Sequence, residues 1–195
     1  MALTRQDPAR GNWTYEDLFA LPDDGRRYEI IEGALYEMPG PTAQHVTALV
    51  NLITLLIPIL QAIGGRWYPA PFDLFVPGAD PVQPDLQVLL PGGQSRVVGR
   101  GVEGPPDLVV EILSPFTRGH DLLTKRVLYA RAGVGEYWVV DPVARTVTVL
   151  ALDGDALREL QTAGGDDSVS SPILPTVSFP AAAVFAGLDD LDPAP

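Results

Sequence analysis

The stretch Pro105 to Pro142, PPDLVVEILSPFTRGHDLLTKRVLYARAGVGEYWVVDP, sets the fold class. From Asp107 to Leu113 it is dense in Leu, Val and Ile, which predicts a strand buried on both faces inside a sheet. Glu111 interrupts that run. A buried carboxylate left unpaired costs several kcal/mol or is forced neutral, so it needs a cation, a metal or an exit into a cleft. Ser114 and Pro115 stop the strand, Asp121 to Arg131 reads as a helix, and Gly133 is its C-terminal stop. Asp121, Lys125 and Tyr129 recur every four residues and stack along one helix face. Glu136 to Val140 is a second bulky, β-prone strand, closed by a turn at Asp141 and Pro142. Strand, helix and strand at this spacing predict a crossover unit with parallel strands.

Working outward, Thr14 can cap a short helix with Asp17 as the capping-box acid. Arg26 to Ile31 and Ala34 to Met38 form a hairpin-like pair around Gly33, carrying Tyr28, Glu29, Glu32 and Glu37. Residues before Trp13 are polar and expected to be loose. Thr42 to Ile63 is an apolar helix ended by Gly64 and Gly65, suited to the sheet or to a subunit contact. Arg66 to Ala70, Phe72 to Val76 and Val82 to Leu90 read as strands, with Asp85 and Gln87 on one face of the last. Pro91 to Gly104 reads as a Gly-rich loop. Thr146 to Ala151 and Ala156 to Leu160 form a meander, and Pro172 to Phe179 and a short helix at Ala181 to Phe185 close the chain.

The length, 195 residues, predicts a single domain over 1–195 with an ordered core of about 14–186. The absence of cysteine excludes disulfides and thiolate metal sites and fits a reducing cytoplasm. A charge of −12, from 25 acidic and 13 basic residues, disfavours nonspecific attraction to nucleic acid. Val46 to Ile63 has about the minimum length for a membrane span, but Thr47, Asn51, Thr54, Pro58 and Gln61 interrupt it, so no membrane association is expected. The N-terminus carries Arg5, Asp7 and Arg10 without the apolar core of a leader.

Asp85 and Glu111 lie 26 residues apart on two expected internal strands. Two hard carboxylates converging at strand ends suit Mg²⁺ or Mn²⁺; the alternative is two unrelated acids, one capping a strand and one paired with an arginine. Lys125 could orient a water or neutralise a phosphoryl transition state, or it could merely pair with Asp121 along the helix. Two histidines, His45 and His120, without H-E-x-x-H spacing, and no Ser in a G-x-S-x-G elbow, argue against a zinc site and a hydrolase triad.

Together, Tyr28-Glu29-Ile30-Ile31-Glu32-Gly33, Pro84-Asp85, Val110-Glu111-Ile112-Leu113-Ser114-Pro115, Lys125 with Tyr129, and Glu136 through Pro142 resemble the Uma-type "putative restriction endonuclease" family of the PD-(D/E)XK nuclease superfamily. The resemblance runs from about Thr14 to Phe185. It implies an α/β fold: a mixed central β-sheet flanked by helices, a restriction-endonuclease-like core with added N-terminal and C-terminal strands. It further implies a divalent metal, Mg²⁺ or Mn²⁺, on Asp85, Glu111 and the Ile112 carbonyl, and endonucleolytic hydrolysis of nucleic acid, DNA first. The superfamily lysine normally stands two residues after the second acid, which here is Leu113. Members of this family supply it from the following helix, and Lys125 matches that place. Glu29 or Glu32 corresponds to an N-terminal acid, His45 to a histidine at the start of the long helix, and Gln87 and Tyr129 are supporting candidates. A homodimer is expected, since two strands need two sites. The competing reading is a noncatalytic homodimeric interaction module that keeps the nuclease fold, favoured by the acidic balance.

Overall fold

The apolar run after Asp107 is a buried strand, and the main sheet is built on both sides of it. The computed structural model describes residues 4–6, 12–18, 20–21, 24, 26–31, 33–38, 40–114 and 121–191. In chain order the elements are β1 (Thr4–Gln6), α1 (Tyr15–Leu18), β2 (Arg27–Ile31), β3 (Ala34–Met38), α2 (Ala43–Ile63), β4 (Arg66–Pro69), β5 (Asp73–Phe75) and β6 (Leu86–Leu89). There follow β7 (Arg96–Val98), β8 (Gly101–Glu103) and β9 (Leu108–Ile112), then a π-helical turn, Asp121–Lys125, that runs into α3 (Arg126–Ala132). The rest comprises β10 (Glu136–Asp141), β11 (Thr146–Asp153), β12 (Ala156–Gly164), β13 (Ser168–Ser170), β14 (Ser178–Pro180) and two 3-10 turns, Ala181–Phe185 and Leu188–Asp190.

Six strands form the main sheet in the order β12-β11-β10-β9-β6-β4. β9 and β10 are parallel, with Glu111 beside Val139, as the strand-helix-strand spacing predicts. β6 runs antiparallel to β9, with Leu86 opposite Val110, which makes the sheet mixed. A second sheet, β5-β8-β7, and an N-terminal one, β1-β3-β2, flank it.

Every residue of β9 is buried, because both faces of the sheet are covered. On one face lies α2, whose Ala48, Leu52, Leu56 and Leu60 recur at four-residue spacing and pack on Leu86, Val88, Leu108, Val110 and Trp138. The C-terminal turn adds Val184 and Phe185 to that layer. On the other face Val109, Leu113 and Val139 meet Leu74 and Val102 of the second sheet and Tyr129 of α3. The helix ends follow local chemistry. Thr42 accepts from the His45 N–H at 3.2 Å, and Gly64 and Gly133 close α2 and α3 in the left-handed region at φ 73° and 83°. Thr14 and Asp17 form the expected cap, with the Thr14 N–H 2.9 Å from the Asp17 carboxylate.

Several expectations need correction. The strand expected at Val82 to Leu90 is hydrogen-bonded into the sheet only over Leu86–Leu89. Pro84 cannot donate to a ladder, and Val82 bridges Leu74 instead. The expected loop Pro91 to Gly104 contains β7 and β8, a short antiparallel pair whose β8 also runs parallel to β5, far off in sequence. Thr4–Gln6, in the segment expected to be loose, pairs with Leu35 to Glu37. Within Pro172 to Phe179 only the end enters a strand, β14, paired with β13. Pro172 and Pro175 each lack the N–H a strand needs.

Leu56 is wholly buried between α2 and the sheet. Leu56→Ala is expected to lower unfolding free energy by about 2–5 kcal/mol in urea titration; a loss under about 1 kcal/mol would contradict this packing.

Candidate active site

Glu111 is 4% exposed, one of few acids within the sheet. Its carboxylate is held by two donors from one helical face. Lys125 Nζ lies 3.0 Å from both Oε1 and Oε2, and the Tyr129 hydroxyl donates to Oε1 at 2.5 Å. The four-residue spacing of Lys125 and Tyr129 places both over the end of β9. Lys125 therefore pairs with Glu111; the Asp121 side chain and His120 lie outside the described residues. The π-helical turn ends at Lys125, a local irregularity of a kind frequent at functional sites.

Extending the β6–β9 register by one pair sets Asp85 opposite Glu111. Asp85 lies just before β6, where its carboxylate accepts from His45 Nε2 at 3.0 Å through Oδ1 and from the Ile112 N–H at 2.7 Å through Oδ2. His45 Nδ1 is buried with no partner among the described residues, so Asp85 is the polar group that orients the ring. Because the Leu113 N–H bonds β10 at the Val140 carbonyl, Ile112 presents its polar groups to the opposite side, toward Asp85. The first turn of α2, the entry to β6 and the end of β9 thus bring His45, Asp85 and Ile112 together, and the segment after β9 brings Lys125 and Tyr129 to Glu111, the residue before Ile112.

The other expected residues are less uniform. Glu29, on β2, is close enough for its charge to push the Tyr129 phenol upward. Glu32 lies outside the described residues, as does Pro115. Gln87 is fully buried, but its amide donates to the Phe72 carbonyl at 2.7 Å, and its Oε1 has no partner among the described residues. Sequence reasoning missed Asp73, 6% exposed, which accepts from Tyr15 and from Gln83 Nε2. With Glu29, Tyr28 and Asp80 these residues line a small pocket beside the site. Glu136 is wholly buried too, yet it takes neutral donors: Trp138 Nε1, the Ser171 hydroxyl and the Ile173 N–H. It begins β10, whereas Glu111 stands near the C-terminal end of its parallel strand, where open α/β sheets place their ligands.

Among the described residues no three His, Asp or Glu side chains form a metal-holding group. Two carboxylates and a strand-edge carbonyl still fit a hard divalent cation, which commonly takes one or two carboxylates and keeps its waters.

Burial and the Glu111 charge hold the Tyr129 phenol well above its usual value of 10, and burial with the Asp73 bond raises Tyr15 to about 12. Both folded values lie above the unfolded one, so this stabilisation is complete below about pH 10 and is lost as pH rises further. Alkaline unfolding followed by circular dichroism is expected to steepen above about pH 10 and to flatten in Tyr129→Phe; an unchanged profile would contradict the buried phenol.

The family model described as "Putative restriction endonuclease", Uma2, matches residues 15–182. No curated protein matches the chain. Among solved structures it is similar to a "putative nuclease belonging to DUF820" from Anabaena variabilis ATCC 29413, with a TM-score of 0.69 and 20% identity, over 89% of this chain and 98% of that one. At that identity the likeness shows a shared mixed α/β fold, and the sequence match shows the family. The chain belongs to the Uma2 family of putative restriction endonucleases.

Proposed function

We propose that this chain is a divalent-metal-dependent endonuclease that hydrolyses phosphodiester bonds of nucleic acid, DNA first, with Asp85, Glu111 and Lys125 as its catalytic groups and Glu29 or Glu32 as the N-terminal acid. The observation that carries the reading is the juxtaposition, at one end of β9, of two opposed carboxylates, a strand-edge carbonyl and an ammonium. Asp85, Glu111 and the Ile112 carbonyl supply the oxygens for Mg²⁺ or Mn²⁺. When bound, the cation supplies Lewis-acid polarisation of the scissile phosphate and a more acidic water.

The remaining steps belong to the chain. His45 and the Ile112 N–H fix the orientation of Asp85, and Tyr129 fixes that of Glu111. Lys125 is the cation at hand to orient the attacking water or to meet the charge that accumulates on the pentavalent phosphorus. Asp85→Ala and Glu111→Ala are each expected to lower metal-dependent nicking of supercoiled plasmid at least about 100-fold, with metal binding lost in calorimetry. Full activity in both variants would overturn the assignment.

A homodimer has its own observation. The outer side of α2 exposes Val46 (43%) and Val50 (54%), one turn apart, and the helix has no charged residue. We place the dimer contact on that stripe, and it serves equally the second reading, a noncatalytic homodimeric module. Val50→Glu is expected to convert dimer to monomer in light scattering, with stability within about 0.5 kcal/mol of wild type. An unchanged mass would place the contact elsewhere.

A further inference from the structure

Lys125 stands in an unusual position for a residue meant to assist chemistry on a metal. Its ammonium lies 3.0 Å from both oxygens of Glu111, 18% exposed against 6% for the carboxylate, and so neutralises an acid that burial would otherwise penalise. One oxygen also accepts from Tyr129, so each Glu111 oxygen already has a donor. The phenol is neutral and leaves the charge of Glu111 undiminished. The ammonium is a cation in contact with the atoms a divalent cation would use.

We propose that Lys125 is the resident counter-ion of Glu111, that a divalent cation displaces it, and that metal binding is thereby what delivers the ammonium to the reacting phosphate. The inference rests on the metal reading above and adds an order of events to it. Two cations on one buried carboxylate repel each other, so the ion pair and the metal compete for Glu111. Tyr129 stays on Oε1 through the exchange and keeps the carboxylate oriented. The π-helical turn that ends at Lys125 gives the ammonium a segment outside regular α-helical bonding from which to move, while Tyr129 is anchored in α3.

The competition predicts an effect on metal affinity opposite in sign to that of a residue that helps hold the metal. In calorimetric titration of the full chain with Mn²⁺, Lys125→Met is expected to bind about tenfold tighter than wild type while its nicking is lost; Lys125→Arg, which keeps the cation, should bind like wild type. Affinity unchanged or weaker in Lys125→Met, with wild type binding normally, overturns the exchange and leaves the metal site standing. No binding by wild type overturns the metal reading and the exchange with it.

Should Lys125→Met fail to fold, the wild-type chain gives the answer, because Lys125 is its only lysine. Saturating Mg²⁺ is expected to speed reductive methylation of that one side chain several-fold, followed by mass spectrometry. An unchanged rate at metal concentrations that calorimetry shows to be saturating overturns the proposal.

Discussion

A negative charge on a fully covered strand is the constraint around which this molecule is arranged. Glu111 stands among Val109, Val110 and Ile112 in a sheet covered on both faces, where an uncompensated carboxylate would weaken the fold. Lys125 and Tyr129 compensate it from one face of the segment that follows, which ties the crossover between β9 and β10 to the strand it leaves. Asp85, on the neighbouring chain segment, is compensated by His45 and by the Ile112 N–H, which ties α2 and β6 to the same point. The same few polar groups thus tie α2, β6, β9 and the crossover together.

Glu136 shows what such a carboxylate looks like when its surroundings are purely structural. It is buried as deeply as Glu111, but a Trp indole, a Ser hydroxyl and a backbone N–H receive it, and these pin the segment after β12 to the start of β10. None of those donors carries a charge. Burial alone therefore does not separate a site from a brace. A charged partner and a second carboxylate in register do.

A sequence match over residues 15–182 gives the family, and a TM-score of 0.69 to a putative nuclease of known structure gives the fold. Part of the net charge of −12 lies away from the strand ends. Exposed acids such as Asp189, 84% exposed on its side chain and paired with Arg145, contribute to the total from the C-terminal turn and not from the strand ends where Glu111 lies.

Local sequence determined a good deal here. The apolar density of Leu108–Ile112 and Glu136–Val140, the four-residue spacing along α2, and the Thr42, Gly64 and Gly133 caps depend on neighbours within a turn or two, so the strands and helices they define were legible. So was the demand of Glu111 for a partner, since burial of a charge is costly wherever the partner comes from. Which partner answers was decided by tertiary structure. Sequence offers Lys125 an acid four residues back along the helix, and the fold brings its ammonium to Glu111, 14 residues away on the preceding strand. The pairing of β8 with β5, the dock of Gln87 on the Phe72 carbonyl, and the approach of His45 to Asp85 across 40 residues likewise join segments whose local sequences carry no record of one another.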